Sequence, residues 1–241
     1  MGRKKDLVSE TPGRPPATPA SDAEIAKFID QIKQAPQAAH GGQGRLIFAM
    51  DATMSRQPTW DRACALQAEM FHVTAAVGGL DVQLVYFRGF NECRASRWVG
   101  NGEALAGIMS KIDCRGGYTQ IGRVLKHGLA ESAARPVSAM VYVGDCLEEP
   151  IDKLAHTAGK LGLIKVPVFM FHEGGEATAA LGFREIARLS GGAYCRFDAG
   201  AASQLRDLLR AVAVYASGGR AALENFSGSK GAAKLLLEQL H

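Results

Sequence analysis

The sequence predicts an α/β fold of the doubly wound type, in which a mostly parallel sheet carries helices on both faces. Short apolar runs alternate with longer segments whose apolar residues recur at helical spacing. The runs at residues 46–50 and 139–144 are apolar almost throughout, as expected for strands buried on both faces. The segments between the runs are long enough for crossover helices, which parallel neighbours require.

Turn and cap residues set the limits of the predicted elements. Pro58 suits the first turn of a helix, and Gly78 stops that helix. Pro136 prevents continuation of another helix, Gly191 closes a third, and Gly218 ends the last one in the domain. The predicted strands are 46–50, 82–87, 93–99, 139–144, 166–171 and 193–197, and the predicted helices are 58–77, 103–112, 119–133, 151–161, 179–189 and 203–215. The strand at 93–99 follows a turn and is expected to be an antiparallel edge strand.

The chain is expected to hold one large domain with added terminal segments. Residues 1–20 are rich in proline and polar residues, which predicts a disordered tail. Residues 21–44 contain a short helix and a glycine-rich linker, and the α/β domain occupies 45–216. Residues 217–241 form a linker and a last helix at 232–240, which either packs on the domain or serves as a docking helix.

The composition excludes several classes of protein. The formal charge of +4 comes without a basic stripe, so we expect no nucleic-acid partner. No apolar run approaches the roughly 18 residues that cross a membrane, and no secretory signal follows the first methionine. The five cysteines are scattered without a C-x-x-C pair, which predicts reduced thiols in a cytoplasmic protein.

Oxygen-bearing side chains follow the ends of two predicted strands and open one helix. Asp51, Thr53 and Ser55 come directly after the strand at 46–50, within D-A-T-M-S. Thr119 stands in G-G-Y-T-Q at the mouth of a helix, and Asp145 follows the strand at 139–144. Ligands of open parallel sheets bind beyond the carboxyl ends of the strands. Two carboxylates and three hydroxyls are hard ligands that suit Mg²⁺, with Mn²⁺ or Ca²⁺ as alternatives.

The order of these motifs resembles the metal-ion-dependent adhesion site (MIDAS) of von Willebrand factor A (vWA) domains. The resemblance covers about residues 45–216 and departs at Thr53, where serine is the commoner residue. It implies that Asp51, Thr53, Ser55, Thr119 and Asp145 hold the cation. It also implies a function in recognition, in which a protein partner offers an Asp or Glu carboxylate to the cation. An intracellular adaptor or assembly factor is the expected role, with no catalytic residues.

Three further residues are predicted to form a rim that contacts the partner. Trp60 and Tyr118 flank the ligand loops, and large aromatic side chains contribute strongly to interfaces. Glu148 follows Asp145 closely and is expected to lie near the cation. Packing of the aromatic residues inside the domain, and capping of a helix by the acid, are the alternative interpretations.

Two other functions remain open from the sequence. A haloacid-dehalogenase-like phosphatase also has an aspartate after its first strand, and G-D-C-L-E-E is similar to its acidic motif. That family needs a general acid two residues after the nucleophile, where this chain has Thr53. A vWA-type scaffold that binds no cation is the second alternative. A dinucleotide enzyme is disfavoured further, because G-G-Q-G precedes the first strand, whereas a phosphate-binding loop must follow it.

Overall fold

A six-stranded sheet lies at the centre of the protein. The computed structural model describes residues 22–34, 43–75, 79–197 and 202–228. The strands are β1 (Gly44–Asp51), β2 (Leu80–Arg88), β3 (Glu92–Ala95), β4 (Ala139–Gly144), β5 (Val168–Glu173) and β6 (Tyr194–Phe197). Their order across the sheet is β3-β2-β1-β4-β5-β6. The helices are α1 (Asp22–Gln34), α2 (Gln57–Leu66), α3 (Ala68–Thr74), α4 (Gly102–Met109), α5 (Ile121–Ala134), α6 (Ile151–Leu163), α7 (Ala177–Ser190) and α8 (Ala202–Gly228).

All strand pairs are parallel except β2 with β3, which pair antiparallel. The doubly wound α/β class and the antiparallel edge strand are therefore confirmed. Strand β3 is shorter than predicted. Beyond it, only Val99 forms a further bridge to Val82.

The core consists of two apolar layers, one on each face of the sheet. Strand β1 is buried along its whole length, because helices cover both faces. Leu46, Phe48 and Met50 point into the layer that includes residues of α1, α2, α3, α4 and α8. Ile47 and Ala49 point into the opposite layer, which α5, α6 and α7 complete. Both layers thus fix the position of β1, whose last residue is a predicted cation ligand.

Local capping explains where several helices begin and end. Asn101 precedes α4, and its side chain accepts the Ala104 N–H at 2.8 Å. Glu176 caps α7 in the same way, with bonds from the backbone N–H groups of Thr178 and Ala179. Gly191 ends α7 in the left-handed conformation that favours glycine.

Two predicted helix limits were wrong. The helix predicted at 58–77 is two helices, interrupted at Gln67. Helix α5 starts at Ile121 and not at Thr119, because Gln120 has a non-helical backbone. The predicted end of the last domain helix is confirmed, because Gly219, where φ is 67°, divides α8 into two helical segments. The second segment, which was not predicted, continues to Gly228.

The added helices belong partly to the same core. Phe28 of α1 is buried and its ring packs edge-on against Phe169 and Phe171. Leu223, in the part of α8 after the kink, is also buried. The tail predicted at 1–20 and the helix predicted at 232–240 lie outside the described residues. Within the described ranges no helix is both long and apolar enough to cross a membrane.

Candidate cation-binding site

The two predicted carboxylate ligands lie at the point where the strand order reverses. Strands β1 and β4 are parallel neighbours, and the chain moves from β1 towards β2 but from β4 towards β5. Asp51 is the last residue of β1, and Asp145 follows the last residue of β4. Both side chains are buried. Such a switch point opens a crevice at the carboxyl ends of the strands.

The loop after β1 brings its oxygens towards Asp145. The Asp51 carboxylate accepts the backbone N–H of Thr53 at 2.7 Å, which holds the turn. The hydroxyl oxygens of Thr53 and Ser55 are 3.5 Å apart. The Ser55 hydroxyl lies 3.5 Å from Oδ2 of Asp145, across the two neighbouring strands. The residues of D-A-T-M-S are therefore gathered next to the end of β4.

Two acids hold Thr119 and the start of α5 beside this loop. The Thr119 N–H donates to Glu148 Oε2 at 2.8 Å, and the Thr119 hydroxyl accepts the Glu148 N–H at 3.0 Å. The Glu149 carboxylate accepts the backbone N–H groups of Ile121 and Gly122. These bonds satisfy the first donors of the helix, which have no partner within it. The acids after Asp145 thus connect the β4 loop to the Thr119 loop.

A close glycine contact fixes the loop that precedes Thr119. A Cβ atom on Gly117 would lie 2.0 Å from the carbonyl oxygen of Gly89, so no larger residue fits there. The Tyr118 N–H donates to the same carbonyl at 3.2 Å. The loop at 116–118 therefore rests directly on the turn between β2 and β3.

A buried arginine lies next to the predicted ligands. The Arg56 guanidinium forms a salt bridge with Glu173, and its Nη1 is 3.8 Å from Oδ2 of Asp145. The Thr59 hydroxyl also donates to Glu173. Neither Arg56 nor Glu173 was among the predicted site residues. Glu173 could have been found, because it ends β5 at the same edge of the sheet.

The electrostatic environment leaves Asp51 short of positive charge. Burial raises the pKa of the Asp51 carboxyl to about 6, and the nearby charge of Asp145 adds to the rise. The hydrogen bonds from Thr53 and the charge of Arg56 act in the opposite direction without cancelling the effect of burial. A bound cation would relieve this cost, because it favours the ionised carboxylate.

All five predicted ligands line one open cleft of about 410 Å³, together with Met54, Gly116, Gly117, Cys146, Glu148 and Glu176. No three His, Cys, Asp or Glu side chains of the described chain are grouped so as to hold a metal ion. The five predicted ligands include two carboxylates, so hydroxyl groups and water would complete the coordination shell of a cation that they hold. A partly open shell of hard oxygens fits Mg²⁺, which keeps several waters.

The predicted rim requires one correction. Trp60 is only 2% exposed, and its indole N–H donates to the Met109 carbonyl oxygen at 3.3 Å. It packs in the core and does not reach the surface of the cleft. Tyr118 is 57% exposed and meets the ring of Phe90, itself 77% exposed, at 5.4 Å. Glu148 lines the cleft, and its contact with a partner stays a prediction.

Comparison with known proteins identifies the class of fold. No protein-family model matches the sequence, and no curated protein is significantly similar to it. Among solved structures, the SpRpn10 VWA domain is similar with a TM-score of 0.55 and 12% identity, over 69% of this chain and 94% of that domain. An aerotolerance-related membrane protein from Bacteroides fragilis matches with a TM-score of 0.51 and 14% identity, over 69% and 98%.

A third similar structure is proximal thread matrix protein 1 from the mussel byssus, solved with a zinc-occupied MIDAS motif. The TM-score is 0.52 and the identity 15%, over 71% of this chain and 46% of the mussel protein. The chain therefore has the fold of vWA domains, which confirms the resemblance seen in the sequence. At these identities the likeness establishes the fold alone.

Proposed function

We propose that this protein is a divalent-cation-dependent module for binding another protein. The observation that carries the proposal is the gathering of Asp51, Thr53, Ser55, Thr119 and Asp145 around one cleft at the switch point of the sheet. The vWA fold and the zinc-occupied MIDAS of a structural neighbour support a cation at this position. Mg²⁺ is the proposed ion, since every donor is a hard oxygen.

The residues in and around the cleft have separate roles: some would bind the cation, and others position the loops that carry its ligands. Asp51 and Asp145 supply the anionic oxygens, and the three hydroxyls supply neutral ones. Glu148 and Glu149 keep the Thr119 loop in place through backbone hydrogen bonds. A bound cation supplies an acidic centre that a carboxylate oxygen of a partner can join. The surface around the cleft offers Met54, Phe90 and Tyr118 for apolar contact.

Recognition is preferred to catalysis because of the chemistry beside Asp51. Thr53 occupies the position where a phosphatase of the haloacid-dehalogenase type needs a general acid, and its N–H is bonded to Asp51. Burial raises the pKa of the Cys146 thiol, so this neighbour of Asp145 is a poor nucleophile. Neither residue is suited to chemistry on a substrate in the cleft.

We further propose that the protein acts inside the cell as an adaptor or assembly factor. All five cysteines are free thiols, and such thiols persist in a reducing compartment. The proposed partner is a protein with an accessible Asp or Glu side chain. Nucleic acid and membranes are not expected partners.

The first experiment is a calorimetric titration of the chelator-treated protein with Mg²⁺, Mn²⁺, Ca²⁺ and Zn²⁺. We expect saturable binding of at least one ion, and at least a hundredfold loss of affinity in Asp51→Ala and Asp145→Ala. Asp152→Ala, which removes an exposed carboxylate from α6, is the matched control and should bind like the wild type. Absence of cation binding by the wild type would refute the proposal.

A second experiment tests the carboxylate of the partner. A displayed library of random peptides is bound to the protein in Mg²⁺ and eluted with chelator. We expect the eluted peptides to be enriched in Asp or Glu, and Asp51→Ala to retain none of them. Enriched peptides without a carboxylate would contradict the proposed mode of binding, even if the cation binds.

A further inference from the structure

A basic groove runs between the edge strand β3 and helix α5. It has a volume of about 350 Å³, and Val85, Cys93 and Ala95 contribute from the sheet. Arg94, Arg123, Lys126 and His127 supply the polar lining, and no Asp or Glu is among the lining residues. The proposed cation site shares none of these residues.

The positive charge of this groove is only partly balanced. Arg94 is bonded to Glu92 at 2.9 Å. His127 lies 3.9 Å from the Glu131 carboxylate, and the charge of Lys126 interacts with Glu149. Arg123 donates to the neutral oxygens of Asn91 and Gln120, which orient its guanidinium without neutralising it. Across the described part of the chain, neither Arg123 nor Lys126 takes part in a salt bridge. Both side chains are exposed on α5.

The outer edge of β3 offers backbone hydrogen bonds next to these charges. Strand β3 pairs with β2 on one side and ends the strand order on the other. The Ser96 N–H donates to the Leu84 carbonyl, and alternate residues of an antiparallel strand bond to the same neighbour. Glu92 and Arg94 therefore bond to β2. Cys93 and Ala95 direct their N–H and C=O groups outward.

We propose that an extended acidic segment of another protein pairs with the outer edge of β3 and places its carboxylates against Arg123 and Lys126. Addition of a strand to an exposed sheet edge is a recurring mode of peptide recognition, in which main-chain bonds supply affinity and side-chain pockets supply specificity. The outward backbone groups of β3 and the basic side chains of α5 lie next to each other in this groove.

Two other occupants of the edge are disfavoured by charge. A second copy of this chain, paired antiparallel β3 to β3, would place Arg123 and Lys126 of both copies on the same side of the joined sheet, where their charges repel. The chain's own terminal segments, 1–21 and 229–241, each contain more basic than acidic residues. An acidic partner is complementary to the groove, whereas these segments are repelled by it.

The experiment measures fluorescence anisotropy of a labelled heptapeptide of alternating Glu and Thr, added to the full chain in the presence of chelator. We expect saturable binding, and no binding of a matched Lys and Thr peptide. The double variant Arg123→Glu/Lys126→Glu should weaken binding at least tenfold. The control Lys153→Glu/Lys160→Glu makes the same change of net charge on exposed positions of α6 and should bind like the wild type.

Backbone pairing is tested separately from charge. Two further peptides carry N-methyl groups on every Thr or on every Glu, and one of the two patterns removes the N–H groups that face β3. That peptide should lose binding while the other keeps it. Ala95→Pro, which removes an outward N–H at an edge position where proline is tolerated, should also reduce binding.

Three results would overturn the proposal. The first is that the acidic and the basic peptide bind with equal affinity. The second is that the Arg123/Lys126 and Lys153/Lys160 double variants bind the acidic peptide equally well. The third is that both N-methylated peptides bind as tightly as the unmodified peptide. Tighter binding of a ten-residue oligothymidylate through Arg123 and Lys126 would assign the groove to nucleic acid instead. Because chelator is present throughout, the outcome is independent of the cation site.

Discussion

Each end of strand β1 carries a buried charged residue, Arg45 at the amino end and Asp51 at the carboxyl end, but the surroundings of the two differ. At the amino end, the Arg45 guanidinium donates to the carbonyl oxygens of Arg135 and Pro136 and to the Glu131 carboxylate. It also lies 3.8 Å from the centre of the Trp98 ring. Hydrogen bonds, an opposite charge and an aromatic face all stabilise this cation, whereas burial and the charge of Arg135 lower the pKa of its guanidinium.

The carboxyl end of the same strand has weaker compensation, namely hydrogen bonds from Thr53 and the charge of Arg56. Asp51 is more deeply buried than Arg45, and Asp145 adds a second negative charge beside it. Arg56 forms its closer salt bridge with Glu173. The contrast shows that the amino end is organised for stability, whereas the carboxyl end carries an excess of negative charge that a divalent cation would balance.

The largest expected effect concerns the amino end. Arg45→Met should lower the free energy of unfolding by about 3–4 kcal/mol, because it breaks a partly buried ion pair and removes three hydrogen bonds of the charged guanidinium. Cation affinity should change less than twofold. Urea denaturation and calorimetric titration of the same sample would check both parts. A fall in cation affinity as large as the fall in stability would remove the distinction between the two ends.

In the absence of cation, Asp51→Asn should raise the free energy of unfolding, whereas Arg45→Met should lower it. The raised pKa means that the ionised carboxyl destabilises the folded state above about pH 6, and that this cost disappears below the ordinary pKa of an aspartate, about 4. A rise of the pKa from 3.8 to about 6 corresponds to about 2–3 kcal/mol of unfolding free energy, which the variant should gain at pH 7.

Two controls sharpen this comparison. The stability difference between Asp51→Asn and the wild type should shrink as the pH falls from about 7 to about 4. Saturating Mg²⁺ should stabilise the wild type and leave the variant unchanged, because we expect only the wild type to bind the ion. A variant that is less stable than the wild type in chelator would show that Asp51 has a structural role like that of Arg45.

The smallest expected effect concerns Glu149, which is proposed to position a ligand loop and not to bind the cation itself. Glu149 bonds the first N–H groups of α5 but does not line the cleft. Glu149→Ala should weaken cation binding about tenfold, as outer partners of ligands often do. Glu149→Gln keeps an acceptor and should recover part of the affinity. Unchanged affinity in both variants would mean that the Thr119 loop holds its place without this acid.

Much of the fold was predictable because the buried strands have a strong sequence signal. The apolar runs that became β1 and β4 identified the sheet, and strand ends then pointed to Asp51 and Asp145. The break at Gln67 and the continuation of α8 past Gly219 were missed, because tertiary packing decides them and local propensity does not. The salt bridge of Arg56 joins residues 117 positions apart, a pairing that no local pattern contains.

The surface of the site was less predictable than its ligands. Trp60 and Tyr118 are both aromatic residues near ligand loops, yet one is buried and the other exposed. The burial of Trp60 depends on how α2 packs over the sheet, which the local sequence does not determine. Phe90 was missed because its partner Tyr118 lies in a different loop.

The contact between Gly117 and Gly89 has a consequence for how sequences of this kind can vary. The obstacle to a side chain at position 117 is the main chain of Gly89, so no compensating substitution at position 89 can remove it. Gly116, by contrast, has open space where a Cβ would be. Among homologues, glycine at 117 should therefore persist even in lineages whose cation ligands have been lost, while position 116 drifts. Conservation of glycine at position 117 would therefore indicate that the fold is kept, and would not indicate that the cation site is kept.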